Sequence, residues 1–298
     1  MSNNQKYTVG WTSALPIELS AAIASLDARH ARPEETAPND CSTYILGEIA
    51  GHNVVMASLP VGDYGTTSAA TVSRDMLSSF PNQIWVDDTR LGDVVVGIGG
   101  GGMGGVIQYD YGKALQNASF IATGHLNQPP QSLLTEVTVV RAIHDGELYH
   151  LKNAVGAVSQ GKESNSKFGC PPTSSDRLFV SKHTHTDETK SCKEICGGDP
   201  SVLVIRNSRD DNDEDGEGAV LPVAHYGLIA SGNQVMKDSA FRDKLAESRG
   251  VLCFEMEAAA WQPFAAMTAA AYAKDLLTEM VPTKIQQEPR AVDVLETS

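Results

Sequence analysis

Short apolar runs, broken by glycine- and proline-bearing turns and followed by stretches of helical spacing, set the plan of this chain. Residues 7–12 (YTVGWT) alternate and read as a first strand. The turn Ser13-Ala14-Leu15 follows, with Pro16 suited to the first turn of a helix and Glu18 inside that turn. Residues 43–49 (TYILGEI) and 52–59 (HNVVMASL) predict a hairpin turning on Ala50-Gly51. A glycine-rich turn at 60–67 (PVGDYGTT) then leads into a helical pattern over 68–80. Residues 87–96 predict a turn and a strand, 106–111 (VIQYDY) another strand, and 132–143 a helix. Residues 157–176 read as an irregular excursion and 202–206 as strand-like. Strand, glycine turn and polar groups recur at 222–236, a charged helix is expected over 238–248, and 261–280 is an alanine-rich helical run. The alternation of strand and helix predicts an α/β fold, with ligands at the carboxyl ends of strands.

The stretch GVLCFEMEAAA (250–260) stands out within this pattern. An apolar strand there runs directly into Glu255 and Glu257, and carboxylates at the end of a buried strand are costly unless paired, hydrogen-bonded or used. Either the acids face solvent at the strand end, or they are delivered to the mouth of a pocket. Glu18 presents the same choice: it complements a helix macrodipole at the surface, or it is a site carboxylate. Its pattern alone favours the surface role.

Composition narrows the class. The 298 residues are 41% hydrophobic and carry 37 acidic against 23 basic side chains, a net charge of −14. A general nucleic-acid binder would need a basic face, so that class is disfavoured. A small anion is not disfavoured, because backbone N–H groups at helix starts hold phosphate without net positive charge. The polar opening MSNNQKYTVG does not have the pattern of a secretory signal, and no run approaches a membrane span. Five cysteines at scattered positions suggest a reducing compartment, with the cytoplasm expected.

Three local motifs invite chemistry and are weak alone. The run 97–105 (GIGGGGMGG) lacks the Lys-Ser/Thr of a Walker loop and the helix and acid of a dinucleotide fingerprint. His183, His185, Cys192 and Cys196 lie near one another, but their spacing is not a standard zinc pattern, so no metal is expected. The acidic loop 209–218 (RDDNDEDGEG) reads as a surface segment, not an EF-hand.

Taken together, YTVGWTSALPIEL, LPVGDYGTTSAATV, RLGDVVV with GGVIQYDYGK, HYGLIASGNQVMKD and VLCFEMEAAA resemble the nucleoside phosphorylase and nucleosidase superfamily, and in particular its fungal branch. That branch is often a domain of larger proteins with nucleotide-binding or repeat regions. The resemblance implies a three-layer α/β/α sandwich around a mixed, partly barrel-like sheet. It implies one such domain over 7–280, with an irregular acidic excursion at 157–220 and tails at 1–6 and 281–298. It implies cleavage of the N-glycosidic bond of a purine nucleoside through an oxocarbenium-like ribose. Glu257 would then hold the ribose hydroxyls with Met256 beneath the sugar, leaving Glu255 a structural place. Ser231, Asn233, Val235 and Met236 would line the base pocket, Asn233 serving as the remaining donor to the base. Glu18 would orient water. Gly62, Gly65, Thr66 and Thr67 would form the loop near the nucleophile or phosphate. The first loop, SALPIEL, lacks the arginine that holds phosphate in the hexameric phosphorylases, which favours hydrolysis, with phosphate a possible co-substrate and no other cofactor. Self-association is implied as well.

Two departures from the family pattern accompany this resemblance. The strand expected before RLGD is missing or displaced, and so is the strand after EMEAA that carries the aspartate acting on the departing purine. The loss of such an acid costs roughly 10²–10⁴-fold in rate. The chain is therefore read either as an altered form of a hydrolase or as a diverged nucleoside-binding sensor or regulatory module with weak turnover.

Overall fold

A computed structural model describes residues 6–33, 42–60, 90–99, 104–113, 121–125, 128–147, 149–159, 168–184, 190, 192–196, 199–206, 221–232, 238–254 and 262–283. It is a mixed α/β fold. Strand β1 (Val9–Ser13) leads through Ala14 and Leu15 into helix α1 (Pro16–Ala24). β2 (Ala28–Arg29), β3 (Ile45–Ile49) and β4 (His52–Ser58) complete a sheet of order β1-β4-β3-β2, in which β1 and β4 are parallel and the other pairs antiparallel. The predicted hairpin is present. Ala50 and Gly51 both take positive φ, 50° and 80°, which is the twist a two-residue hairpin turn needs. Asp27 secures that turn by accepting the Ala50 N–H at 2.7 Å, and it pairs with Lys274 on the other side.

The second sheet is built around β8 (Ala224–Ser231). β5 (Val94–Gly97) pairs with its first half and β6 (Val106–Lys113) with its second, both parallel to it, while β9 (Val251–Phe254) runs parallel along its other edge. β7 (Ile121–His125) pairs antiparallel with β6. One edge of β8 thus passes from β5 to β6, with Gly97 and Gly105 at the change of partner. A Cβ on Gly105 would lie 2.1 Å from the carbonyl carbon of Gly97, so backbone packs on backbone there. That close approach accounts for Gly105 without any phosphate. Val95, Ile229 and Cys253 pack together from neighbouring strands, and Ala230, Val251 and Phe254 form a separate cluster with Ile107 and Tyr109.

The RLGD element acts as a staple. Gly92 has φ 94°, and Asp93 is buried. Its carboxylate accepts the Arg90 N–H at 2.7 Å, the Val223 N–H at 2.9 Å and His225 Nε2–H at 2.8 Å, tying the entry of β5 to that of β8.

The helices are α2 (Gln131–Gly146), α3 (His150–Ser159), the short α4 (Cys192–Ile195), α5 (Ser239–Arg249) and α6 (Gln262–Glu279). α6 is the centre of the main core. Ala266, Ala270, Ala271 and Ala273 make its surface smooth, so that α1 (through Ala21 and Ala22), α2 and α3 pack on it closely. At its C-terminal end, Met280 O accepts a hydrogen bond from buried His52 Nε2, the first residue of β4. α5 opens with Asp238 capping the Phe241 N–H and closes on Gly250 at φ 67°.

The sequence expectations need three corrections. Residues 202–206 are not a strand: Pro200–Val202 is a 3-10 turn, and one bridge, Leu203 to Phe179, is all the pairing described there. α3 occupies residues to which no element was assigned and reaches into the start of the expected excursion. β7, with its glycine and few apolar residues, gave no strand signal. The expected helix at 68–80 and the region of the missing first strand lie outside the described residues.

Candidate active site

Parallel pairing brings the exits of β1 and β4 side by side. Ser13 and Ser58 are register partners, and the Leu59 N–H donates to Ser13 O at 3.0 Å. Leu59 and Pro60 thus leave the sheet next to the loop that starts α1. Glu18 reaches back across this loop. Its Oε2 accepts the N–H of Ala14 at 2.8 Å and of the N-cap residue Leu15 at 3.1 Å. Leu15 has no side-chain acceptor, so only the glutamate half of a capping box exists here. The surface-acid reading of Glu18 and its site reading are therefore not exclusive: the carboxylate caps α1 while standing, half-buried, at the carboxyl edge of parallel strands. Sequence reasoning missed Ser13. Its Oγ is buried beside this loop with no hydrogen-bond partner, and a lone serine at a strand end gave no signal for it.

The second sheet repeats the arrangement. Ala230 and Phe254 are partners, so β8 and β9 leave the sheet together. Ser231 is buried at the end of β8, in register with Gln108, whose amide donates to Asp110 Oδ1 at 2.9 Å. Gly232 follows. A Cβ there would meet the Tyr109 ring at 2.7 Å, so the chain passes flat against that ring. Of the predicted site residues, Glu18 and Ser231 are thus placed at strand exits. Asn233, Val235, Met236, Met256, Glu257, Gly62, Gly65, Thr66 and Thr67 lie outside the described residues; in sequence each follows the exit of β4, β8 or β9. Of the Cys/His group, His183 stacks on Phe179 (5.5 Å, 22°) and Cys196 is buried. His185 and the side chain of Cys192 are outside the described set.

The first aspartate after β9 in the sequence is Asp275. Asp275 lies thirteen residues into α6, about 20 Å along the helix from its start. It faces His144 and His150 there, Nε2 of each lying 3.1 and 3.4 Å from its Oδ2. It is at the end of α6 that meets the start of β4, opposite to the exits of β1 and β4, so it is not a substitute for the leaving-group acid.

No protein-family model matches the chain. A nucleotide-binding leucine-rich repeat (NLR)-like protein of Hyaloscypha variabilis is 34% identical over 321 aligned residues, which take in 95% of this chain and 30% of that protein. The chain thus spans under a third of the length of this relative. The aligned span also exceeds the 298 residues of the chain, so the relative carries stretches here that this chain lacks. Similar solved structures include futalosine hydrolase of Helicobacter pylori (13% identity, TM-score 0.47, 91% of this chain and 97% of that one). Another is 5'-methylthioadenosine/S-adenosylhomocysteine nucleosidase of S. pneumoniae with a transition-state inhibitor (14%, 0.46, 91% and 98%). Likeness at this level carries no argument about activity. No helix among the described residues is long and apolar enough to cross a membrane.

Proposed function

We propose that this chain binds a purine nucleoside and cleaves its N-glycosidic bond by hydrolysis. The observation that carries the reading is Glu18. A carboxylate is held by two backbone N–H groups at the carboxyl ends of two parallel strands, beside the exit that leads to 62–67. A carboxylate so fixed can orient a water towards an electron-poor anomeric carbon without reorganising in the transition state. Glu257 would grip the ribose hydroxyls and Met256 would pack beneath the ring. Ser231, Asn233, Val235 and Met236 would line the base pocket, with Asn233 donating to the base. Gly62, Gly65, Thr66 and Thr67 would close the nucleophile side, where phosphate is the possible alternative to water. Homo-oligomerisation and a cytoplasmic setting complete this reading. Base release from adenosine, guanosine and inosine, assayed with and without phosphate, tests it. Release without phosphate is expected, and no release from a folded sample under either condition refutes it.

A second reading has its own support. Asp275 is occupied by two histidines far from the strand exits, and the described relative is an NLR-like protein more than three times the length covered here. A nucleoside-binding sensor module, working beside nucleotide-binding and repeat regions, fits both facts. It is selected if adenosine raises the unfolding temperature while no base is released.

A further inference from the structure

We propose that His144, His150 and Asp275 form a divalent transition-metal site of the zinc class that ties the junction of α2 and α3 to α6. The three side chains come from three helices: His144 from the last turn of α2, His150 from the first turn of α3, and Asp275 from α6. Both imidazoles aim Nε2 at a single oxygen, Asp275 Oδ2, at 3.1 Å and 3.4 Å, and the three donor atoms lie within 4.8 Å of one another. Zinc bonds of about 2.0–2.2 Å at tetrahedral angles separate neighbouring donors by about 3.3 Å. The two nitrogen–oxygen separations straddle that edge, and the two ring centroids lie 4.9 Å apart.

His150 Nδ1 lies 2.9 Å from Glu147 Oε2 while its Nε2 faces Asp275, so each ring nitrogen confronts a carboxylate oxygen. Glu147, His150 and the centre then form the carboxylate–histidine–metal relay that orients a ligating imidazole. No Lys or Arg pairs with Asp275 among the described residues. His144 is the deepest ligand, with 8% of its side chain exposed against 22% and 29% for Asp275 and His150, so the outer side of the centre is open to solvent for entry and for a water as fourth ligand. Imidazole and carboxylate together favour Zn²⁺, Co²⁺ or Ni²⁺ over Mg²⁺ or Ca²⁺. The site is independent of the nucleoside reading, since it lies at the other end of α6.

The experiment titrates the full chain, stripped with a chelator, with Zn²⁺ alone and Co²⁺ alone. One equivalent is expected to bind. Co²⁺ should give tetrahedral d–d bands without a thiolate charge-transfer band, and the unfolding temperature should rise by about 5 °C at a hundredfold excess over Kd. Glu147→Gln, on an exposed relay residue, should weaken binding about 10–100-fold. Asp275→Asn and His150→Gln should weaken it at least as much while circular dichroism shows the helices retained. A folded wild type that takes up no Co²⁺ or Zn²⁺ overturns the proposal. So does uptake that these three variants leave unchanged, or a thiolate band that Cys192→Ser with Cys196→Ser abolishes.

Discussion

Substituting Glu18 separates its two duties. In Glu18→Gln the amide oxygen can still accept the N–H groups of Ala14 and Leu15, now 2.8 and 3.1 Å from Oε2, so the cap survives in outline. What is lost is charge: the charge-assisted strength of two hydrogen bonds and the attraction of an anion to the start of α1, together about 1 kcal/mol at this half-buried position. Glu18→Ala removes the acceptor altogether and leaves the donors to water, at about 1–2 kcal/mol. For a chain of this size, that predicts an unfolding temperature lower by roughly 2–4 °C for Gln and about twice that for Ala. Chemistry responds on another scale. A water-orienting carboxylate is worth roughly 10²–10⁴-fold, and an amide does not replace it, so both variants should lose base release by at least about a hundredfold while adenosine affinity changes little. The assay pairs urea unfolding with single-turnover release of adenine. The argument fails if Glu18→Gln releases base within about threefold of wild type while its unfolding midpoint drops. Glu18 would then be a helix cap and nothing more.

Two further outcomes test the frame. Burial pushes Asp27 up, but the Ala50 N–H and Lys274 outweigh it and hold the carboxyl below the usual range; a lowered carboxylate adds stability above its unfolded pKa and loses it as pH falls through the folded one. Asp27→Asn should therefore cost at most about 1 kcal/mol at pH 7, since the pair is largely exposed, with the urea midpoints of the two proteins converging as pH falls below the usual carboxylate range. Gly105→Ala places a methyl 2.1 Å from the backbone of Gly97, which only strand separation can relieve; a loss of about 3 kcal/mol or more, read from denaturant midpoints, is expected.

What was legible in the sequence follows the strength of its local signals. The hairpin at Ala50-Gly51, the helix opened by Pro16 and the helix 262–279 were visible because turn chemistry and helical spacing agree there. β8 and β9 were visible as apolar runs bounded by glycine. α3 was not visible: HLKNAVGAVS is short, contains a glycine, and gains its stability from packing on α6, a partner more than a hundred residues away. The glycines at 97 and 105 gave only a weak phosphate-loop signal, and their use as room for another backbone was not legible, because sequence cannot distinguish that from room for a ligand. Glu18 was legible as a residue but not as a geometry: its double role depends on the loop it reaches across. The histidine–aspartate cluster left no signal, since His144 and Asp275 are 131 positions apart.

The connection from β9 to α6 bears most directly on chemistry. Phe254 is buried at the end of β9, and Gln262 begins a helix whose far end is fixed by His52 and by the Asp27–Lys274 pair. Residues 255–261 must join those two points. That is seven residues, against about ten or more for a strand of average length with its two connections. On the proposed reading, with Asp275 engaged at the opposite end of α6, the departing purine is left with Asn233, an amide that can donate a hydrogen bond to the base but cannot protonate it. Hydrolysis by this chain should then depend on how well the leaving group departs by itself. A riboside with p-nitrophenolate as leaving group, which needs no proton, should be cleaved faster than adenosine. Cleavage of adenosine at the faster rate would mean that an acid reaches the base from elsewhere, from a second copy or from a neighbouring region of a longer protein.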